Sequence, residues 1–216
     1  MNQFMNKNIF AVYKPKGPTS HDVVDEIRKL TGVRKVGHAG TLDPLASGVL
    51  VIAIGRDATK QLDTLKSKEK EYRAVIELGA TSATDDSEGH ITSQHFKQQP
   101  SIGDVEKVLP AFLGKIEQIP PLYSAVHVAG KRAYKLARQQ KDITLAPRAV
   151  EIKSIKLSKY EWPYLEIGVV TGPGVYIRAL ARDIGEKLGV GGYLKELERT
   201  RVGDYTLEKT VKIEEI

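Results

Sequence analysis

Gly37-His38-Ala39-Gly40-Thr41-Leu42-Asp43-Pro44-Leu45-Ala46-Ser47-Gly48-Val49-Leu50 leads without a break into Val51-Ile52-Ala53-Ile54. The apolar run at 49–54 reads as a buried strand. Ahead of it, three glycines and a proline carry one carboxylate, Asp43, and one imidazole, His38. Glycine permits tight turns and close approach of a ligand, and Pro44 biases Asp43 away from helical backbone, so the carboxylate is presented in a defined direction. Two readings of these residues stay open. Asp43-Pro44 is an ordinary turn with a solvated His38 beside it, or the loop holds a reacting group against a core strand.

Composition narrows the setting. The chain has 216 residues, 41% hydrophobic and 28% charged, enough to bury a sizeable core in one domain. It contains no cysteine, which rules out disulfides and thiolate metal sites and fits a reducing compartment. The first eight residues lack an apolar leader core, and no apolar run reaches the ~18 residues of a membrane span. A soluble, cytoplasmic protein is therefore expected. The 33 Lys+Arg against 27 Asp+Glu give a formal charge of +6 and favour a polyanionic partner. Between residues 131 and 148 six basic residues (Lys131, Arg132, Lys135, Arg138, Lys141, Arg148) face one acid, Asp142, which makes this segment the best phosphate-binding candidate.

Outward from the central stretch, residues 9–13 read as a strand entering the turn Lys14-Pro15-Lys16-Gly17-Pro18. Thr19 or Ser20 then caps a helix with Val23, Val24, Ile27 and Leu30 on one face and Gly32 past its end. Residues 70–79 alternate, with Tyr72, Ala74, Ile76 and Leu78 on the inward side of a strand. The acidic turn at 84–89 lacks the ligand spacing of a calcium loop. A short amphipathic helix is expected at 104–113, kinked at Pro110, and further strands at 150–157 and 164–171. A helix over 175–188 follows, with Ile177, Leu180, Ala181, Ile184 and Leu188 on its apolar face. Arg178 falls in its first turn, where a cation opposes the macrodipole and a carboxylate partner would offset the cost. Leu197 reads as a helical residue.

Several of these segments together resemble the TruB family, the bacterial tRNA pseudouridine-55 synthases. Residues 37–50 resemble its catalytic motif over their whole length, and 14–20 resemble its Lys-Pro-x-Gly-x-Thr-Ser segment. Lys70-x-Tyr72 with Leu78-Gly79, the Thr84-x-Asp86-x-x-Gly89 turn, and 118–125 with 130–138 match further motifs. Tyr176-Ile177-Arg178 resembles Gly-Thr-Tyr-Ile-Arg, and 197–203 resembles Leu-x-Arg-Thr-x-x-Gly. The chain departs from the pattern at His127, where lysine is usual, and at Pro173 and Val175.

The resemblance implies an α+β pseudouridine synthase fold: an extended mixed, largely antiparallel sheet flanked by helices, with a central catalytic cleft. It implies one catalytic domain over 1–216 without the RNA-binding PUA domain common in relatives, and isomerisation of the T-loop uridine at position 55 of tRNA. Residue by residue it makes Asp43 the nucleophile, Arg178 its ion-pair partner and Tyr72 a stacking surface and candidate proton carrier. Tyr176 and Leu197 would be walls of the base pocket, Lys14 a support, and His38 a contact near the RNA loop. Lys131, Arg132 and Arg138 would meet phosphates. No cofactor or metal is called for, and the implied partner is the T-arm of tRNA, bound by a monomer without an obligate protein partner or a membrane. Two other classes remain alternatives, an RNA-binding module without catalysis and a glycosidic hydrolase using Asp43.

Overall fold

The computed structural model describes residues 8–128, 130–139 and 143–215. In chain order these form β1 (Ile9–Lys14), α1 (Ser20–Thr31), β2 (Val36–His38), β3 (Ala46–Ile54), α2 (Arg56–Thr59), α3 (Leu62–Lys66), β4 (Lys70–Leu78), β5 (Ala80–Ser82), β6 (Ile91–Ser93) and α4 (Ile102–Val108). Then come β7 (Gly114–Gln118), β8 (His127–Val128), β9 (Lys131–Arg132), α5 (Ala133–Arg138), β10 (Arg148–Glu161), β11 (Tyr164–Thr171), α6 (Ile177–Lys187), β12 (Gly192–Val202), β13 (Tyr205–Thr206) and β14 (Thr210–Val211). This is the expected α+β class, a ten-stranded, largely antiparallel sheet with flanking helices. The chain divides into two compact units. The first takes Met1–Arg73, Val170–Pro173 and Leu197–Ile216, and the second Ala74–Val169 and Gly174–Glu196.

In the first unit the strand order is β14-β1-β3-β12. β3 pairs antiparallel with β1 from Ile9↔Ala53 to Lys14↔Gly48, and with β2 from Val36↔Ile54 to His38↔Ile52. β12 runs parallel to β3, with Leu197 opposite Ala46 and Arg199 opposite Gly48. Both faces of β3 are covered. Leu50 and Ile52 join Phe10, Val12, Val23, Val24 and Ile27 on one side, and Val49 and Val51 join Ala11, Ala39 and Val202 on the other. Double coverage is why the run does not alternate with polar residues. Each Val, Leu, Ile or Phe side chain among these contributes roughly 1.5–3 kcal/mol on burial. Helix α1 is started by Thr19, whose hydroxyl accepts from the Asp22 N–H at 3.1 Å while the Asp22 carboxylate accepts from the Thr19 N–H at 2.8 Å. Its buried face reaches only to Ile27. Leu30, in the last turn, is 52% exposed rather than core.

In the second unit the strand order is β4-β11-β10-β7. The alternation expected in β4 is present, with Ala74, Ile76 and Leu78 buried. Ser101 and Asp104 form a capping box at the start of α4, and the bend expected at Pro110 is a change to a 3-10 turn over Leu109–Phe112. β10 pairs antiparallel with β7 from Arg148↔Gln118 to Ile152↔Gly114 and extends beyond the expected strand at both ends. α6 starts at Ile177, two residues later than the sequence suggests, because Tyr176 keeps extended backbone (φ −101°, ψ 113°) as the N-cap. Its face of Ile177, Leu180, Ala181 and Ile184 is buried. Among the described residues no helix is long and apolar enough to cross a membrane.

Candidate active site

Asp43 lies in the loop between β2 and β3, and the backbone on both sides of it is tied down. The Ala39 N–H donates to Val51 O at 2.9 Å, and the Ala46 N–H closes a turn onto Asp43 O at 3.0 Å. Ser20, buried at the start of α1, accepts from the Leu42 N–H at 2.8 Å and donates to Leu42 O at 2.9 Å. The Gly17 N–H reaches Pro44 O at 2.8 Å. These bonds satisfy the loop's backbone without a regular ladder and leave Asp43 half-exposed. A reacting group gains most from this sort of restraint.

Lys14 supports the same loop from one residue further back. Its side chain is fully buried, and the ammonium donates to Pro15 O at 2.9 Å and Pro18 O at 2.8 Å. The turn it organises carries Gly17, whose N–H holds Pro44. His38 is half-buried at the end of β2, and its Nδ1 has no hydrogen-bond partner among the described residues. Burial lowers its pKa, the positive charges of Arg199, His21 and Lys66 lower it further, and a backbone interaction with Gly40 works the other way. The imidazole is therefore neutral at neutral pH, which fits hydrogen bonding better than acid–base work. Leu197 stands on a strand, β12, not on a helix, and packs half-buried against the core that contains Val12 and Leu50. β12 runs between two neighbouring strands and carries long charged side chains, so it shows no plain alternation of polar and apolar residues.

The residue that sequence reasoning passed over is Arg199. It is 1% exposed. Nε donates to Val49 O at 2.8 Å, Nη2 to Gly40 O at 3.1 Å and Nη1 to Thr41 O at 3.4 Å. The hydroxyl of Tyr72, itself buried, hydrogen-bonds the same guanidinium. Burial raises the phenol's pKa; the charge and hydrogen bond of Arg199 lower it, and the Asp43 charge adds to the rise. Tyr72 is thus a protonated phenol at neutral pH, within electrostatic reach of Asp43. Arg199 already stood in the segment 197–203 that resembles a family motif. Nothing in a lone strand arginine distinguishes a buried clamp from a surface charge.

Lys70 is the second buried cation of this cluster. It donates to Lys66 O at 2.7 Å and Lys68 O at 2.8 Å. Burial first, then the charge of Arg199, brings its pKa down from 10.5 to about 8. Below about pH 8 both folded and unfolded chains hold this proton, and the burial penalty is present in full. Between about 8 and 10.5 the unfolded chain binds the proton that the folded chain has released, so stability rises with pH in that window. Denaturant titrations at a series of pH values should show this rise in the parent and a flatter profile in Lys70→Met. Superimposable profiles would refute the assignment.

Arg178 belongs to the second unit, where its guanidinium is buried with Asp86. Nη1 lies 3.3 Å from Asp86 Oδ2 and donates to Thr84 O at 3.2 Å, and Nη2 donates to Tyr123 O at 3.1 Å. The carboxylate that offsets an arginine in the first turn of α6 is, within this unit, Asp86. Asp86 also accepts from the Thr84 hydroxyl and from the Glu88 N–H at 3.0 Å. Beside it Asp85 pairs with Arg182 at 2.8 Å. Both aspartates of the acidic turn therefore face arginines, and among the described residues no cluster of acidic, His or Cys side chains could hold a metal ion.

Tyr176 is fixed through its backbone. Buried Gln118 accepts from its N–H at 2.9 Å and donates to its carbonyl at 3.1 Å, and the ring packs on Val126, Ala133 and Leu145. Gln118 is a second residue given no role from sequence, and a paired amide of this kind has no local signature. Lys131 and Arg132 are exposed on β9, opposite Val128 and His127. Arg138 closes α5, with its side chain outside the described residues, as are Lys141 and Asp142. Asp43, Tyr72, His38, Lys14 and Leu197 thus fall in the first unit together with Arg199, and Arg178, Tyr176, Lys131 and Arg132 in the second.

A family model described as TruB family pseudouridylate synthase (N terminal domain) matches residues 28–177. A second, tRNA pseudouridylate synthase B C-terminal domain, matches 178–216. The chain is similar to a protein of Acaryochloris marina named tRNA pseudouridine synthase B, 46% identical over 206 residues, 94% of this chain and 71% of the relative. A relative of the same name from Parabacteroides distasonis is 44% identical over 219 residues, 99% of this chain and 93% of its own length. Among solved structures, a chain from "Crystal Structure of a Cbf5-Nop10-Gar1 Complex" aligns with 95% of this chain at 32% identity and a TM-score of 0.74. This chain spans about half, 52%, of that one. With two family models that together match residues 28–216, and relatives above 40% identity of which the chain covers 71% and 93%, the chain belongs to the TruB family of pseudouridylate synthases.

Proposed function

We infer that this chain isomerises uridine to pseudouridine in tRNA, and that its target is the T-loop uridine at position 55. The reaction breaks the bond from uracil N1 to ribose C1′ and forms one from C5 to C1′. The proton leaves C5 and N1 ends protonated, so the step balances without an oxidant, a reductant or a cofactor. It asks for a base drawn out of its stack, a group assisting cleavage at the sugar, and a path for the C5 proton.

The observation that carries this reading is the restraint around Asp43, a half-exposed carboxylate on a loop held by Ser20, Gly17 and Arg199. Asp43 is the proposed nucleophile. Tyr72, a protonated phenol near that carboxylate, is the proposed relay for the proton. Arg178, oriented by Asp86, is the proposed arginine of the same step, and Tyr176 and Leu197 are proposed as apolar contacts of the base. Neutral His38 would hold the extruded RNA by hydrogen bonding and shape. Exposed Lys131 and Arg132, together with Arg138, would meet backbone phosphates, where cations contribute affinity rather than sequence choice. Lys14 acts through the turn it stabilises. The finer reading is a cytoplasmic monomer acting on the T-arm without a partner protein.

The test is an unmodified tRNA transcript incubated with the purified chain alone, followed by carbodiimide labelling and mass spectrometry. One new pseudouridine in the T-loop is the expected result. RNA binding with no pseudouridine would favour a silent binding module, and free uracil would favour a hydrolase.

A further inference from the structure

We propose that Arg199 is a positioning residue of the isomerisation, tying the Asp43 loop and the Tyr72 hydroxyl into one rigid unit. The inference rests on the functional reading above, which uses Arg199 only as one tie on the Asp43 loop, and gives that residue a part in the reaction. Its first support is connectivity. One guanidinium joins the carbonyls of Gly40 and Thr41, on the N-terminal side of Asp43, to that of Val49 in β3. The same group meets the Tyr72 hydroxyl. Loop, core strand and phenol therefore share a single rigid fork, and β12 delivers it by pairing Arg199 with Gly48.

Energetics give the second support. Arg199 is buried beside another buried cation, Lys70, whose ammonium it destabilises. A fold selected for stability alone gains little from two neighbouring buried cations, since apolar side chains of similar volume often do as well or better. Besides the three carbonyls, what compensates Arg199 here is the Tyr72 hydroxyl and the negative charge of Asp43, the two groups assigned to the chemistry.

Donor direction is the third. A guanidinium can only donate, so the Tyr72 oxygen accepts from it and the phenolic proton must point elsewhere. Arg199 thereby fixes which way Tyr72 can pass its proton. Lysine at this position would keep the charge but not the planar fork that spans three carbonyls and a hydroxyl.

The experiment compares parent, Arg199→Lys, Tyr72→Phe and the double variant in single-turnover pseudouridine formation, with tRNA affinity by filter binding. Misplacement of catalytic groups costs on the order of a hundredfold in rate. Arg199→Lys should therefore lose roughly that much while tRNA affinity stays within about threefold. The double variant should lose about tenfold less than the product of the two single losses, because one assembly is being broken twice. Strictly multiplicative losses, or Arg199→Lys turning over like the parent, would overturn the proposal. If Arg199→Lys does not melt cooperatively, Arg199→Gln replaces it, and failure of both would make Arg199 a folding residue and also overturn it. A parent protein that forms no pseudouridine would instead place the fault in the proposed function.

Discussion

Asp43→Asn is expected to reduce pseudouridine formation by at least roughly a thousandfold, the scale on which removal of a nucleophile acts, while leaving tRNA binding within a few-fold of the parent. The two side chains have nearly equal volume, and Asp43 is half-exposed. The backbone bonds that shape its loop come from Ser20, Gly17, Ala46 and Arg199 and do not use the carboxylate. The change therefore leaves those backbone bonds in place, while it removes a negative charge that helps to compensate buried Arg199. What changes is the chemistry, because an amide cannot attack carbon and offers a donor where the carboxylate offered only acceptors. Release of tritium from C5-labelled tRNA follows the reaction, and filter binding follows the complex. Turnover near the parent rate would remove Asp43 as nucleophile and return the Asp43-Pro44 pair to its plainer reading as a turn. A parallel fall in affinity would show that the carboxylate organises RNA rather than the reaction.

Much of the scaffold around Asp43 was legible because its signals are local. The apolar run at 49–54 is β3, Thr19, one of the two caps the sequence offers, starts α1, and the alternation at 70–78 is β4. Each is set by residues a few positions apart. Arg199 and Leu197 were not legible for the opposite reason. Their side chains matter through neighbours about 150 residues away, across the parallel pairing of β12 with β3. Leu197 reads from sequence as a helical residue, because no pattern within β12 announces that its partner strand is the one that follows the Asp43 loop. The bond from Gln118 to Tyr176 and the pair of Arg178 with Asp86 are of the same long-range kind. Family resemblance named Asp86 as a turn residue, and only coordinates assign it an arginine.

Gly48→Ala is expected to be among the most damaging single-atom additions to this chain, and it tests whether the approach of β12 to β3 builds the site. Gly48 has φ +109°, a backbone conformation L side chains rarely adopt. A Cβ there would stand 2.8 Å from Arg199 N and 2.9 Å from Arg199 C, with Arg199 O closer still. These are backbone atoms, so no rotamer change relieves the clash, and β1 holds the other edge of β3 through Lys14. Strained backbone costs about 1–3 kcal/mol and overpacking a similar amount. Together they make roughly 2–6 kcal/mol, a large share of the ~5–15 kcal/mol that stabilises a typical domain. A fall in melting temperature of about 4–24 °C should follow. Gly32→Ala is the control, since Gly32 also has positive φ, +70°, but nothing lies within 4 Å of the added carbon. It should cost only about 1 kcal/mol, from backbone preference alone. Equal melting temperatures for the two variants would mean that β3 and β12 can move apart at no cost. In that case the strand contact that carries Arg199 to the Asp43 loop could not be what holds the loop in place.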